Sequence, residues 1–263
     1  MFITRALTVL IMLPLFAAAL VFSPQWLWAL LLLPAVFIAS WEWAGLAGYG
    51  AVARSAYGAF NVLTAVALFY VAPHRLELAT FALSCVFWVF VAPVWLSQRW
   101  TVRNPLALGI IGWIALVPMW LALVRLQTDP WALLVFMSVV WVADTFAYLA
   151  GRQWGRHKLA PLVSPGKSWE GVAGAAAALG VYYVVLWFIV PVGARLLPAW
   201  SGLALFAALL ALSIEGDLFE SWMKRQAGVK DSGRLLPGHG GLLDRIDGLT
   251  STMPAAALAV YLR

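Results

Sequence analysis

Eleven carboxylates are spread unevenly over 263 residues. Glu42, Glu77 and Asp129 stand apart, whereas Asp144, Glu170, Glu215, Asp217, Glu220, Asp231, Asp244 and Asp247 all follow residue 143. The last six of these are interleaved with Lys224, Arg225, Lys230, Arg234 and Arg245. Carboxylates opposed by lysines and arginines suit Mg²⁺ held together with substrate phosphates, since that ion keeps waters and needs few protein ligands. Any solvated loop carries some charge, so clustering alone says little. More telling, several of these groups interrupt apolar runs, where an ionisable side chain is costly.

Asp144 sits in Val-Val-Trp-Val-Ala-Asp-Thr-Phe-Ala-Tyr-Leu-Ala-Gly. At the centre of a membrane helix an Asp costs about 2.5–3.5 kcal/mol, and less towards an end. Asp144, Tyr148 and Gly151 fall at i, i+4 and i+7, one helix face. The carboxylate either pairs at the interface with a cation such as Arg152 or lines a binding site. Its short side chain snorkels poorly, which favours binding. A second cluster reads Glu215-Gly216-Asp217-Leu218-Phe219-Glu220-Ser221-Trp222-Met223-Lys224-Arg225. If one helix runs through it, Asp217, Glu220, Ser221 and Lys224 share a face that combines anions, a hydroxyl and a cation. That face is equally a binding edge or ordinary intrahelical pairing, worth about 0.2–0.5 kcal/mol per pair.

The third cluster is Leu236-Pro237-Gly238-His239-Gly240-Gly241-Leu242-Leu243-Asp244-Arg245-Ile246-Asp247-Gly248. Its glycine-rich start lets backbone N–H groups approach an anion closely. On a helical turn, Asp244 and Asp247 would present both carboxylates to one point. His239 reads first as a capping or hydrogen-bonding residue and second as a catalyst. A further loop holds Lys158 and Ser164-Pro165-Gly166-Lys167-Ser168-Trp169-Glu170-Gly171. Gly166-Lys167-Ser168 looks like the end of a P-loop, but no glycine stands five residues before Gly166 and no strand is expected there. A lysine and two serines ahead of a helix still suit a phosphate.

The elements that must position these groups are membrane helices. Hydrophobic residues make up 64% of the chain and charged residues 11%, with a mean hydropathy of +0.90. A soluble domain carries about 45–50% and about 25% respectively. Disorder is excluded by the same figures, and the single cysteine, Cys85, excludes a disulfide framework and a Cys-rich zinc site. The sequence predicts an all-α, polytopic membrane protein forming a single integral membrane domain over 1–263. Runs of about 20 apolar residues give about nine transmembrane helices: 4–22, 26–46, 56–72, 78–96, 105–125, 131–150, 170–190, 199–219 and a shorter 249–262. The stretch 131–248 carries the chemical motifs. Residues 1–22 read as a span and not a signal peptide, because the apolar run exceeds the about 7–15 residues of a signal core.

Sidedness follows from the basic residues. Arg5, Arg54, Arg99, Arg103, Arg152, Arg156, Lys158, Lys167, Lys224, Arg225, Lys230, Arg234 and Arg245 fall at the N-terminus or in every second loop after it. The other side has only Arg75, Arg125, Arg195 and Arg263. Positive residues mark the cytoplasmic side, so the N-terminus and the charged motifs are expected to be cytoplasmic. The net charge of +6 is therefore a topology signal and implies no nucleic-acid partner. Trp26, Trp28, Trp43, Trp95, Trp100, Trp131 and Trp200 lie near span ends and are expected in the headgroup zone. Trp88, Trp113 and Trp187 lie mid-span and are expected to pack internally. Gly171, Gly174 and Gly180 make the seventh span a small-residue helix suited to close packing.

These motifs together resemble a known family. Ser221-x-Met223-Lys224-Arg225, Lys230-Asp231-x-Gly233 and Leu236-Pro237-x-His239-Gly240-Gly241-Leu242-x-Asp244-Arg245-x-Asp247 are similar to the signature of phosphatidate cytidylyltransferases, or CDP-diacylglycerol synthases. Gly216-Asp217-x-x-Glu220-Ser221 resembles the segment before that signature, and Asp144-x-x-Ala147-Tyr148-x-x-Gly151 an earlier intramembrane motif. The loop at Gly166-Lys167-Ser168 departs from the pattern, which has a second lysine and a threonine. The resemblance implies transfer of a cytidylyl group from CTP to phosphatidic acid, giving CDP-diacylglycerol and pyrophosphate with Mg²⁺, and it allows a second metal ion. It implies metal ligation by Asp217 and Asp244, with Glu220 and Asp247 as weaker candidates. Lys224 and Arg225 would hold phosphates; Ser221, Asp144, Lys167, Lys230, Asp231 and His239 would line the substrate site. It also implies a cell-membrane location, the inner membrane in a bacterium, with membrane lipid as partner and a homodimeric assembly. A cation-coupled transporter would not need the Lys-Arg and His-Gly-Gly elements and would show repeated halves. A CDP-alcohol phosphotransferase would continue Asp247-Gly248 with Ala-Arg, which is missing.

Overall fold

The computed structural model describes residues 14–188, 199–233 and 240–262. Nine helices are seen among the described residues. They are α1 (14–22), α2 (Gln25–Leu46), α3 (Ala51–Val71), α4 (His74–Gln98), α5 (Pro105–Leu126), α6 (Pro130–Trp154), α7 (Trp169–Phe188), α8 (Ala199–Gln226) and α9 (Leu243–Tyr261). Seven of them, α2 to α8, are long and apolar enough to cross a membrane. The chain is thus an all-α polytopic membrane protein. Helix α5 is buried over most of its length, and α9 packs against α8, α5, α4 and α6. These two helices are the axis of the bundle. The opening of the first expected span, and its Arg5, lie outside the described residues.

Local chemistry sets several helix starts. Asn104 Oδ1 accepts from the N–H groups of Leu106 (2.9 Å) and Ala107 (3.3 Å), with Pro105 at the first helical position. Asp129 Oδ1 accepts from Ala132 N at 3.1 Å, again ahead of a proline. Both satisfy backbone donors that a helix start leaves unpaired. Helix α4 contains a π-turn at Phe87–Val91 and ends on Arg99 in the left-handed region, φ 53°.

Loops that the charge pattern groups together do share an end of the bundle. Tyr49 Oη donates to Pro105 O (2.9 Å), Trp222 Nε1 to Trp100 O (2.9 Å), and Val102 N to Gln226 Oε1 (3.0 Å). At the opposite end, Gln127 Nε2 donates to Ser23 O (2.9 Å) and Arg125 pairs with Glu77.

Four expectations change. The expected loop after α6 contains a two-stranded antiparallel hairpin, β1 (Lys158–Ala160) and β2 (Ser164–Ser168), with Lys158 opposite Ser168. Helix α9 begins at Leu243, so Asp244 and Asp247 lie inside it and not before it. Helix α3 begins at Ala51, ahead of the expected 56. Trp28, Trp43 and Trp95 are buried. Their indole N–H groups donate to Leu123 O (3.1 Å), Leu108 O (2.8 Å) and Trp100 O (2.8 Å), so these rings pin neighbouring segments inside the bundle and do not face lipid. Trp88 is buried, as its mid-span position predicts. The small-residue expectation for α7 holds at Gly171 and Gly174 but not at Gly180, where a Cβ would meet nothing within 4 Å. A Cβ at Gly171 would stand 2.8 Å from Ala147 O, and one at Gly174 would collide with Ala150, so α6 and α7 touch backbone to backbone.

Candidate active site

Helix α8 continues unbroken from Ala199 to Gln226, carrying the second acidic cluster on one rigid element. Its rotation is fixed by Phe219, which is buried among Trp43, Phe87, Trp88 and Trp95 with ring centroids 5.4–6.4 Å away. Residues advance by about 100° each along a helix. Locking Phe219 inward therefore turns Asp217, two residues earlier, to the opposite side, towards the hairpin. There Lys167 Nζ lies 2.6 Å from Asp217 Oδ2, and Ser221 Oγ donates to Asp217 Oδ1 at 3.3 Å. Arg225 Nε donates to Val163 O in the hairpin turn at 3.4 Å. The hairpin is thus tied to α8 at two points.

Between α6, the hairpin, α7 and α8 lies a cavity of about 540 Å³. Asp144, Asp217 and Lys167 line it, with Arg152, Lys158 and Ser164 among its other polar residues. Asp144 and Asp247 are both within electrostatic reach of Asp217 and Lys167. The approach of α9 to α8 depends on Gly216. A Cβ there would meet Asp247 O and Ser251 Oγ, each at 2.6 Å, so any larger residue would push the two aspartate-bearing helices apart.

A second group lies one turn further along α8. Lys224 Nζ is 2.5 Å from Asp244 Oδ1 and also pairs with Glu220. Asp244 Oδ2 accepts from Gly241 N (2.8 Å), Ser232 N (3.0 Å) and Ser232 Oγ (3.1 Å). Glu220 is buried, and Lys224 is the cation that meets its carboxylate. The five carboxylates Asp144, Asp217, Glu220, Asp244 and Asp247 thus gather at one end of the bundle, in two groups. Two lysines contact them. Lys230 and Asp231 are exposed on the turn after α8. His239 lies outside the described residues.

No set of three His, Cys, Asp or Glu among the described residues is arranged as a ready metal cage. The donors that are present are all oxygen, and an ion that keeps its waters and takes one or two carboxylates does not need such a cage.

One residue of this region escaped the motif reading. Glu42, on α2, is 2% exposed and accepts from Leu243 N (2.8 Å), Leu242 N (3.1 Å) and Ser232 Oγ (3.1 Å). The signal available in the sequence was a lone carboxylate in Ala-Ser-Trp-Glu-Trp-Ala, an apolar run with no nearby cation until Arg54.

The fold and site define a helical, multi-pass membrane protein with an oxygen-rich, charge-excess centre at one end of its bundle. Comparison with known proteins gives the family. The chain matches the model of the cytidylyltransferase family over residues 3–263 and belongs to that family. It is 38% identical to a phosphatidate cytidylyltransferase of Pseudomonas aeruginosa, over 98% of this chain and 96% of that one. Shorter matches to proteins of the same name come from Haemophilus influenzae, 50% identical over 46% of this chain and 43% of that protein, and from Thermotoga maritima, 42% identical over 48% and 47%.

Proposed function

We propose that this chain transfers the cytidylyl group of CTP to the phosphate of phosphatidic acid, giving CDP-diacylglycerol and pyrophosphate in phospholipid synthesis. The observation that carries this reading beyond family membership is the cavity bounded by Asp144, Asp217 and Lys167 at the loop-bearing end of an apolar bundle. A soluble nucleotide can enter such a site from water while the lipid stays in the membrane. The lipid phosphate is itself an anionic nucleophile, so no strong general base is required. The barrier lies in bringing anions together and stabilising charge on the α-phosphoryl group and the departing pyrophosphate, a matter of positioning and electrostatics.

Lys167, at the rim of Asp217, and Lys224 and Arg225, further along α8, are the cations we assign to phosphates. Ser221 supports Asp217 as a hydroxyl donor. Mg²⁺ fits this donor set because the carboxylates of Asp144, Asp217, Glu220, Asp244 and Asp247 gather there and all their ligand atoms are hard oxygens. Asp217 and Asp244 would hold it, with Asp247 and Glu220 as further candidates. When bound, the ion would neutralise phosphate charge and polarise the P–O bonds. Lys230, Asp231 and His239 belong, in this reading, to the nucleotide loop. The positive charge of these loops supports a site that faces the cytoplasm.

The test uses protein purified in detergent, phosphatidic acid, Mg²⁺ and CTP labelled at either the α- or the γ-phosphate. The expected result is α-label in lipid and γ-label in released pyrophosphate, in equal amounts. Absence of α-label from lipid would overturn the assignment.

A further inference from the structure

Glu42 lies 190 to 201 residues in sequence from its hydrogen-bond partners. Its two oxygens are both used, and all three donors lie between the end of α8 and the first residue of α9. Oε1 receives Leu242 N; Oε2 receives Leu243 N and Ser232 Oγ. Ser232 Oγ also lies 3.1 Å from Asp244 Oδ2, so one hydroxyl bridges the two carboxylates. Both edges of the intervening segment stand against Glu42. A Cβ on Gly241 would lie 2.6 Å from Glu42 Oε2, and a Cβ on Gly233 would collide with the same carboxylate. Gly233 has no positive φ, so its lack of a side chain answers to Glu42 and not to backbone strain.

We infer that Glu42 is a positioning residue: it fixes the start of α9, and with it the placement of Asp244 and Asp247 against Asp217 and Lys224 on α8. The inference rests on the cytidylyltransferase reading for its activity readout. The physical reason is the helix start. The first N–H groups of a helix have no internal acceptor, and Leu242 has no side chain that can supply one. A carboxylate from α2 supplies two acceptors at once, with a charge that favours a helix N-terminus. Four residues after Leu243 stands Asp247, within reach of Asp217. A shift of α9 by a fraction of a turn would separate the carboxylates that the reaction needs together, and small misplacements of reacting groups are costly.

The test is Glu42→Gln in the full-length protein. The amide keeps the size but turns an NH₂ group towards one set of backbone donors. The expected outcome is at least about a tenfold fall in kcat with the KM for phosphatidic acid changed less than about threefold. Hydrogen exchange should speed up in peptides covering 240–248 and stay at wild-type rates in peptides covering α5. Faster exchange throughout the bundle would show a general fold defect and overturn the positioning role. So would wild-type kcat together with wild-type exchange at 240–248. A double-mutant cycle keeps the idea testable if Glu42→Gln folds poorly. Gly233→Ala should be strongly impaired, and Glu42→Asp, which retracts the carboxylate by one methylene, should relieve part of that defect. Strictly multiplicative losses would contradict the contact. Wild-type protein runs alongside; if it transfers no label to lipid, the functional reading fails, while the exchange result still decides the role of Glu42.

Discussion

The two ends of the bundle handle buried charge in opposite ways. At one end Arg125 pairs with Glu77, donates to Phe69 O at 2.9 Å and stacks on the Phe69 ring, centroid distance 4.4 Å. One cation meets one anion, and every group has a partner. At the other end, Asp144, Asp217, Glu220, Asp244 and Asp247 gather in two groups, with Lys167 on Asp217 and Lys224 on Glu220 and Asp244. A chain that is 11% charged has no structural use for surplus carboxylates in an apolar bundle. A single pair holds helices together; on the reading proposed above, the clustered group takes a metal ion and phosphates.

That contrast can be broken experimentally. The largest effect is expected at the unbalanced end: Asp217→Asn should cut kcat by at least about 10²-fold while detergent-solubilised protein melts no lower than wild type. Chelation of divalent metal should abolish transfer, and added Mg²⁺ should restore it. Lys224→Met should be nearly as damaging, with a second signature. It strips Glu220 and Asp244 of their shared cation, so stability should fall by about 3–5 kcal/mol, read as a lower melting temperature. Arg125→Met should show the converse. Stability should drop by about 3 kcal/mol, because Glu77 is left buried without a partner, yet turnover per folded molecule should stay within about twofold. Ser221→Ala is the mildest. It removes a 3.3 Å hydrogen bond to Asp217, worth about 1 kcal/mol, and turnover should fall a few-fold.

Much of this end could be read from the sequence because charge is scarce in it. The i, i+3, i+4, i+7 spacing of Asp217, Glu220, Ser221 and Lys224 put them on one helix, and the structure continues α8 through all four. Spacing alone did not say that they would divide. Asp217 and Ser221 turn to Lys167, whereas Glu220 and Lys224 turn to Asp244, because the aromatic box around Phe219 fixes the rotation of α8. That box draws on residues more than a hundred positions away, which local periodicity cannot report. The hairpin was missed for a different reason. Lys-Leu-Ala and Ser-Pro-Gly-Lys-Ser lack the β-branched and aromatic residues that mark strands, and docking on α6, α7 and α8 gives them a place to pair. Glu42 was hidden by distance along the chain, although a carboxylate inside Trp-Glu-Trp was signal enough to ask what satisfied it.

The contrast between the ends reduces to whether the surplus carboxylates are a metal–nucleotide site, and equilibrium binding of labelled CTP measures that directly. Wild type and Arg125→Met should bind CTP in Mg²⁺ and lose it on chelation; Asp217→Asn, equally folded, should not bind in either condition. Binding by wild type that is indifferent to chelation, or full binding by Asp217→Asn, would contradict the account.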